Sequence, residues 1–184
     1  MPIQHCNDSI LQSMGRRANS ESIKELCSRL RSEIPNIVLR TTVMSGYPGE
    51  TDVQHEELCE FLNDLKFDYV GCFEYSAEEG TRAAKMTDQV SAGEKYSRAN
   101  ELREICDEIS LAKLNDKVGE CFEVLVEGEE DGQMYGRAYF QAPEIDGYVY
   151  FGEFDQNKKV KPGTFVRVKI VEQQAYDLVG VLDE

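Results

Sequence analysis

The chain has 184 residues, of which 41% are hydrophobic and 30% charged, with 14 Gly and 5 Pro. That composition excludes collagen, low-complexity sequence and wholesale disorder, and no apolar run approaches the roughly 20 residues that span a bilayer. The formal charge of −15 repels phosphate backbones and favours basic partners, or simply keeps the chain soluble. Met1 to His5 carries neither the basic flank nor the apolar core of a signal peptide. The six cysteines are dispersed at 6, 27, 59, 72, 106 and 121, which fits reduced thiols in a cytoplasmic protein better than a disulfide framework.

The first two-thirds of the chain alternates helix and strand signals. Asn7-Asp8-Ser9 caps a short helix that ends near Gly15. Asn19 or Ser20 opens a second, with Ile23, Leu26, Cys27 and Leu30 at helical spacing, and Pro35 stops it. Ile37 to Met44 is rich in β-branched residues and reads as a strand. The turn Gly46-Tyr47-Pro48-Gly49 follows. Thr51 with Gln54 fits a capping box ahead of a helix carrying Leu58, Phe61, Leu62 and Leu65. Tyr69 to Tyr75 reads as a second strand, and an amphipathic helix is expected from about Ser91 to Leu114. Strand, helix, strand at these spacings implies a parallel sheet with covering helices, too short to close a barrel alone.

Beyond Asn115 the pattern changes to five short alternating runs: Cys121–Val126, Tyr135–Phe140, Tyr148–Phe151, Phe165–Val171 and Leu178–Leu182. Turn-prone segments separate them, so a small antiparallel barrel of the OB type is expected. The boundary is placed between Leu114 and Val118, giving domains 1–114 and 115–184. Residues 1–114 carry 13 basic and 20 acidic side chains, net −7, and residues 115–184 carry 7 and 15, net −8. The barrel is therefore the more acidic part per residue.

Small barrels often bind nucleic acid through a basic groove and stacking aromatics. Tyr135, Tyr139, Phe140, Tyr148, Tyr150, Phe151 and Phe154 supply the aromatics, but only Lys158, Lys159 and Lys161 cluster as bases. Protein binding fits the charge better than RNA binding, and core or strand-face packing accounts for most of these rings. The turn Ser45 to Thr51 sits at the carboxyl end of a strand, where ligands bind in parallel α/β sheets. Its glycines permit close backbone approach and the helix start offers free N–H groups; a purely structural turn is the other reading. His5 and Cys6 are adjacent but lack partners at zinc spacing, so no metal site is expected. His55 reads as a solvated helix-surface residue, and no catalytic triad is suggested.

Longer motifs carry a resemblance. Pro2 to Leu11 with Met14-Gly15-Arg16-Arg17, then Arg40 to Thr51, then Tyr75-Ser76, Glu79-Gly80-Thr81 and Asp88-Gln89-Val90, resemble in order the radical-SAM methylthiotransferases. The last 70 residues resemble the TRAM domain of those enzymes. The implied fold is the carboxy-terminal part of a radical-SAM, TIM-like α/β barrel followed by a small all-β, OB-like TRAM barrel. One branch of the family modifies an aspartate on a basic small-subunit ribosomal protein; another modifies an adenosine in tRNA. Gly136-Arg137-Ala138, Ala142 to Gly147, Tyr176 to Gly180 and Arg40-Thr41-Thr42 are similar to the ribosomal-protein branch, and the acidic barrel suits a basic protein better than tRNA.

The resemblance implies S-adenosylmethionine and two 4Fe–4S clusters in the full-length protein. The family's Cys-x-x-x-Cys-x-x-Cys loop is absent here, so the cluster ligands are missing, the chain reads as a fragment, and no activity is expected of it alone. Cys27, Cys59 and Cys106 fall on apolar helix faces and read as buried thiols. Gln4, Ser45, Gly46, Pro48 and Glu50 match positions expected to line the S-adenosylmethionine or substrate cavity; for Glu50 the alternative is stabilisation of a helix N-terminus. Arg16 is expected to pair with a carboxylate. Glu144, Asp146 and Asp177 are candidates for meeting a basic partner, with solvated turn residues as the alternative. Two other readings stay open: a tRNA adenosine methylthiotransferase, and a stand-alone acidic protein-binding module without catalysis.

Overall fold

Strand β1 (Arg40–Ser45) lies parallel to β2 (Tyr69–Glu74), with Arg40 opposite Tyr69 and Ser45 opposite Glu74. Helix α3 (Asp52–Leu65) makes the crossover that a parallel pair requires. This arrangement comes from a computed structural model that describes residues 1–152 and 160–183; Phe154, Lys158 and Lys159 lie outside the described residues. The chain divides into two compact units, Met1–Ser110 and Leu111–Glu184, each described here by itself.

In the first unit, α1 (Asp8–Ser13) starts at Asn7, whose Oδ1 accepts from the Ser9 and Ile10 amides. Helix α2 (Ser20–Glu33) opens on a capping box between Asn19 and Ser22. It ends because Ile34, preceding Pro35, is extended at φ −123° and ψ 100°. Helix α3 has the expected box between Thr51 and Gln54, and α4 runs from Ala92 to Asn115. Gln4 extends the sheet through a single parallel bridge to Val43, its N–H donating to Thr42 O and its carbonyl accepting from Met44 N.

Strand β1 begins at Arg40, not at the expected Ile37. Asp68 explains the difference: its carboxylate accepts from the Leu39 amide at 2.7 Å, and its own amide donates to Leu39 O. The segment before β1 is thereby tied into a loop and withheld from the ladder. The core consists of Ile3, Leu11, Ile23, Val43, Leu58, Phe61, Leu62, Phe67 and Leu102, with Cys6, Cys27, Cys72 and Cys106 among them.

The second unit holds β3 (Cys121–Glu130), β4 (Gln133–Ala138), β5 (Val149–Phe151), β6 (Phe165–Gln174) and β7 (Asp177–Leu182). They close into a barrel in the order β3-β4-β5-β7-β6, with β3 pairing back to β6 and β5 parallel to β7. Five strands in this order, one parallel pair among antiparallel ones, are the OB-like barrel expected from the sequence. Irregularities at Val126/Gly128 and Ile170/Glu172 supply the bends that closure needs. Strand β4 stops at Ala138, before the expected Phe140, because the Gln141 side chain accepts the Ala138 amide and donates to Gly147 O, folding the chain away.

The interior is filled by Val124, Val126, Val149, Phe151, Val168, Ile170 and Leu178, all buried. Gly136 is required by close approach: a Cβ there would lie 2.2 Å from the Leu125 carbonyl oxygen. Gly136→Ala is therefore expected to destabilise the barrel by roughly 1–3 kcal/mol, read as a lowered thermal midpoint. An unchanged midpoint would mean that the β3–β4 register can open to accept a methyl group.

Candidate functional site

The turn after β1 is organised by one carboxylate. Gly46 and Gly49 adopt φ +76° and +84°, which side-chain-bearing residues rarely take, and the chain doubles back so that Glu50 lies under its own turn. Glu50 Oε2 accepts from the Gly46 amide at 2.8 Å and the Tyr47 amide at 3.3 Å. Its side chain is fully buried. Burial is possible because Arg98 of α4 donates from Nη1 to Glu50 Oε1 at 3.2 Å and to the Glu50 carbonyl at 3.0 Å. Arg98 Nη2 is held in turn by Asp52 and Glu94. Two imidazoles flank the same carboxylate, His5 Nε2 at 3.8 Å and His55 Nδ1 at 3.7 Å.

His5 accepts the Asn7 amide at Nδ1, so its neutral form carries its proton on Nε2, toward Glu50. Burial, and then the neighbouring His55, lower its pKa from 6.5 to about 4. His55 is buried, not solvated as expected from the sequence; the helical pattern of α3 hid this because α4 covers a second face. Its Nε2 lies 2.9 Å from Glu101 Oε2 and 3.6 Å from Cys59 Sγ.

These contacts correct the expectation of free N–H groups at the turn. Gly49 N donates to Asp88 O, Glu50 N to Tyr47 O and Thr51 N to Gln54 Oε1. With Gly46 and Tyr47 bound to Glu50, and Pro48 lacking a donor, every amide from residue 46 to 51 has a partner inside the protein. Neither Gly46 nor Gly49 leaves open space, since added Cβ atoms would meet Lys95 and Asp88 at 2.4 Å. The turn is a braced element, not an open anion cradle.

The five positions matched to the cavity thus differ. Ser45, Gly46, Pro48 and Glu50 are buried, and Glu50 faces inward, where neither cavity lining nor helix-dipole stabilisation describes it. Gln4 is different: half-buried, at φ +72°, with a side-chain amide that makes no hydrogen bond among the described residues. A non-glycine residue held in that region costs of order 1–3 kcal/mol and marks functional sites often enough to note. Arg16 donates to the Pro2 carbonyl at 2.8 Å, so it ties down the segment leading to Gln4 through a carbonyl and not through the expected carboxylate.

The thiols do not suit an iron–sulfur cluster. Cys6, Cys27, Cys72 and Cys106 are packed in the core. Burial pushes Cys6 and Cys59 up to about 12 and also raises Cys27, so each stays a thiol unless a bound metal displaces its proton. Cys72 and Cys106 are in contact at 3.8 Å, a pair and not the set of thiolates that a cluster requires.

On the barrel, Tyr135 of β4 stacks edge-on with Tyr148 at 5.1 Å between ring centroids and tilts against Tyr150 of β5 at 6.1 Å. The three rings share a half-exposed face of the β4–β5 pair. Burial, then Asp177 and Glu130, push the Tyr150 hydroxyl up. Asp177 also accepts the Tyr148 amide at 2.7 Å, and Asp146 accepts the Ala142 amide at 2.6 Å. Both carboxylates therefore shape turns as well as charging the surface, whereas Glu144 is exposed. From the sequence alone the tyrosines are strand-face residues with nothing to join them. The alternation of β4 and β5 contained that signal, but their register did not. No helix among the described residues is long and apolar enough to cross a membrane.

Residues 118–182 match the TRAM domain. Over 180 residues, 98% of this chain, the sequence is 48% identical to the ribosomal protein uS12 methylthiotransferase RimO of a Thermoanaerobacter species, the match covering 40% of that protein. The RimO of Lachnoclostridium phytofermentans is 44% identical over 100% of this chain and 41% of its own length. That of Clostridium kluyveri is 44% identical over 99% and 40%. The chain is thus similar to RimO along nearly all its length and spans about 40% of the curated relatives it matches.

Two outcomes follow from the buried charges. Glu50→Gln removes the buried charge on which Arg98 and the turn amides converge, leaving Arg98 only the more exposed Asp52 and Glu94, and is expected to cost about 3 kcal/mol, measured by urea unfolding, with Glu50→Gln/Arg98→Met recovering part of the loss. For His5, the unfolded chain takes up a proton that the folded one refuses between pH 6.5 and about 4. Its contribution is complete above 6.5 and falls away with acidification through that window, by about 3 kcal/mol in all. His5→Gln should flatten the stability profile there; an unaltered slope would assign the acid sensitivity elsewhere.

Proposed function

We propose that this chain is part of a radical-SAM methylthiotransferase that modifies an aspartate of the ribosomal protein uS12. In this reading residues 1–114 are the closing part of the α/β barrel and residues 115–184 the TRAM barrel. The observation that carries it is identity of 44–48% along at least 98% of the chain to enzymes bearing that name. The acidic charge of both halves supports a basic protein as substrate and gives no support to tRNA.

The chain's own residues have two tasks. Gln4 offers an unpaired amide beside the carboxyl end of β1, where S-adenosylmethionine or substrate would be met in an α/β barrel. Ser45, Gly46, Pro48 and Glu50 act beneath it as positioning residues: the buried Glu50–Arg98 pair holds the turn rigid so that what lies above is placed and not searched for. S-adenosylmethionine, when bound, supplies the radical and the methyl group. The thiols of this chain's core, at most paired, do not fit a 4Fe–4S cluster.

The TRAM barrel is read as the docking part. Tyr135, Tyr148 and Tyr150 present aromatic faces to lysine and arginine side chains, and Glu130, Glu144, Asp146 and Asp177 supply complementary charge. Titration of the chain with uS12, and separately with tRNA, at two salt concentrations tests this reading. Salt-sensitive binding to uS12 is expected, weakened about tenfold by Tyr148→Ala/Tyr150→Ala and by Glu144→Lys. Tight tRNA binding with none to uS12 would overturn the substrate assignment.

A further inference from the structure

His55 and Cys59 stand one turn apart on the same face of α3, and Glu101 reaches them from α4. Their ligand atoms all lie within 4.8 Å of one another. His55 Nε2 is 3.6 Å from Cys59 Sγ and 2.9 Å from Glu101 Oε2. Bonds of about 2.0–2.3 Å around a tetrahedral Zn²⁺ put neighbouring ligand atoms roughly 3.5 Å apart, so small side-chain rotations would bring the three groups to that spacing. We propose that His55, Cys59 and Glu101 form a binding site for a zinc-like divalent cation that clips α3 to α4.

A plain His55–Glu101 hydrogen bond is the competing account, and with a neutral ring it leaves the other nitrogen unserved. His55 Nδ1 is buried, makes no hydrogen bond, and faces Glu50 Oε1 at 3.7 Å. If a neutral His55 gives its one proton to Glu101 through Nε2, its Nδ1 lone pair points at a buried carboxylate. With a cation on Nε2 the proton moves to Nδ1 and points at Glu50. That is the carboxylate–histidine–metal arrangement by which outer partners orient an imidazole ligand. The donor set of imidazole, thiol and carboxylate suits Zn²⁺ and disfavours Mg²⁺ or Ca²⁺, which take oxygen. On binding, Cys59 gives up its thiol proton to solvent and coordinates as thiolate. Three protein ligands leave a fourth position for water, and Glu101, the exposed member, is the side of entry.

The site does not depend on the functional reading above. It does share Glu50 with the braced turn, so loading would tighten the same carboxylate that holds the Gly46 and Tyr47 amides.

Co²⁺ replaces Zn²⁺ with a visible spectrum and tests the proposal. The full chain, freed of metal with a chelator, is titrated with Co²⁺ and then with Zn²⁺. One Co²⁺ per chain is expected, with the absorption of four-coordinate Co²⁺ and a thiolate-to-cobalt charge-transfer band, both abolished by Zn²⁺. Cys59→Ser should remove the charge-transfer band, and His55→Phe and Glu101→Gln should each weaken binding at least tenfold. Cys121→Ser should change nothing. Since Glu101 is exposed, Glu101→Gln keeps the test decisive if the buried variants do not fold. Absence of a stoichiometric Co²⁺ spectrum, or a spectrum indifferent to Cys59→Ser or Glu101→Gln, would overturn the site.

Discussion

The Glu50 carboxylate is the constraint on which the first unit is arranged. A fully buried charge is unfavourable by several kcal/mol unless its counter-charge and hydrogen-bond donors are in place, and here both come from separate parts of the chain. The turn supplies two amides and α4 supplies Arg98. Because the carboxylate needs all of them, the turn, the start of α3 and the second turn of α4 are fixed relative to one another. His5 brings the amino-terminal segment into the same arrangement, and with it Gln4, whose strained backbone is held by two hydrogen bonds to β1. The half-buried amide of Gln4 is thus placed by a charge 46 positions further along the chain that it does not touch.

The barrel is held by a different principle. Its strands bury small and branched residues inside, and two glycines, Gly136 and Gly180, let neighbouring backbones and Val168 come within distances no side chain would allow. Closure removes the open edges that make small sheets prone to association. It also turns the alternation of β4 and β5 into one outward aromatic face, since Tyr135 pairs directly with Tyr150 in the register. The carboxylates that shape turns in this unit, Asp146 and Asp177, also charge its surface. One residue type therefore serves local structure and surface charge together.

Much of the fold was legible in the sequence because it is local chemistry. The capping residues Asn7, Asn19 and Thr51, the proline after α2, the change from helical to alternating periodicity past Asn115 and the five barrel strands each depend on neighbours a few residues away. The ends of β1 and β4 were not legible. Asp68 and Gln141 reach across to claim backbone groups, and side-chain competition of that kind leaves no periodic trace. The same limit applied at the candidate site. The Ser45–Glu50 motif could be recognised, but its amides were read as available because their partner, Glu50, folds back only when Arg98 arrives from 48 positions further along.

By itself, then, the sequence determined which segments form helices and which form strands, that an α/β segment precedes an acidic β-barrel, and that the chain resembles methylthiotransferases. These rest on periodicity, capping and motif order, all of which are read along the chain. Only the tertiary structure decided that Glu50 is a buried brace, that His55 is covered and meets Cys59 and Glu101, and that three tyrosines form one face. Each of those depends on packing between residues distant in sequence, where the cost of burying a charge or a ring is set by what arrives on the other side.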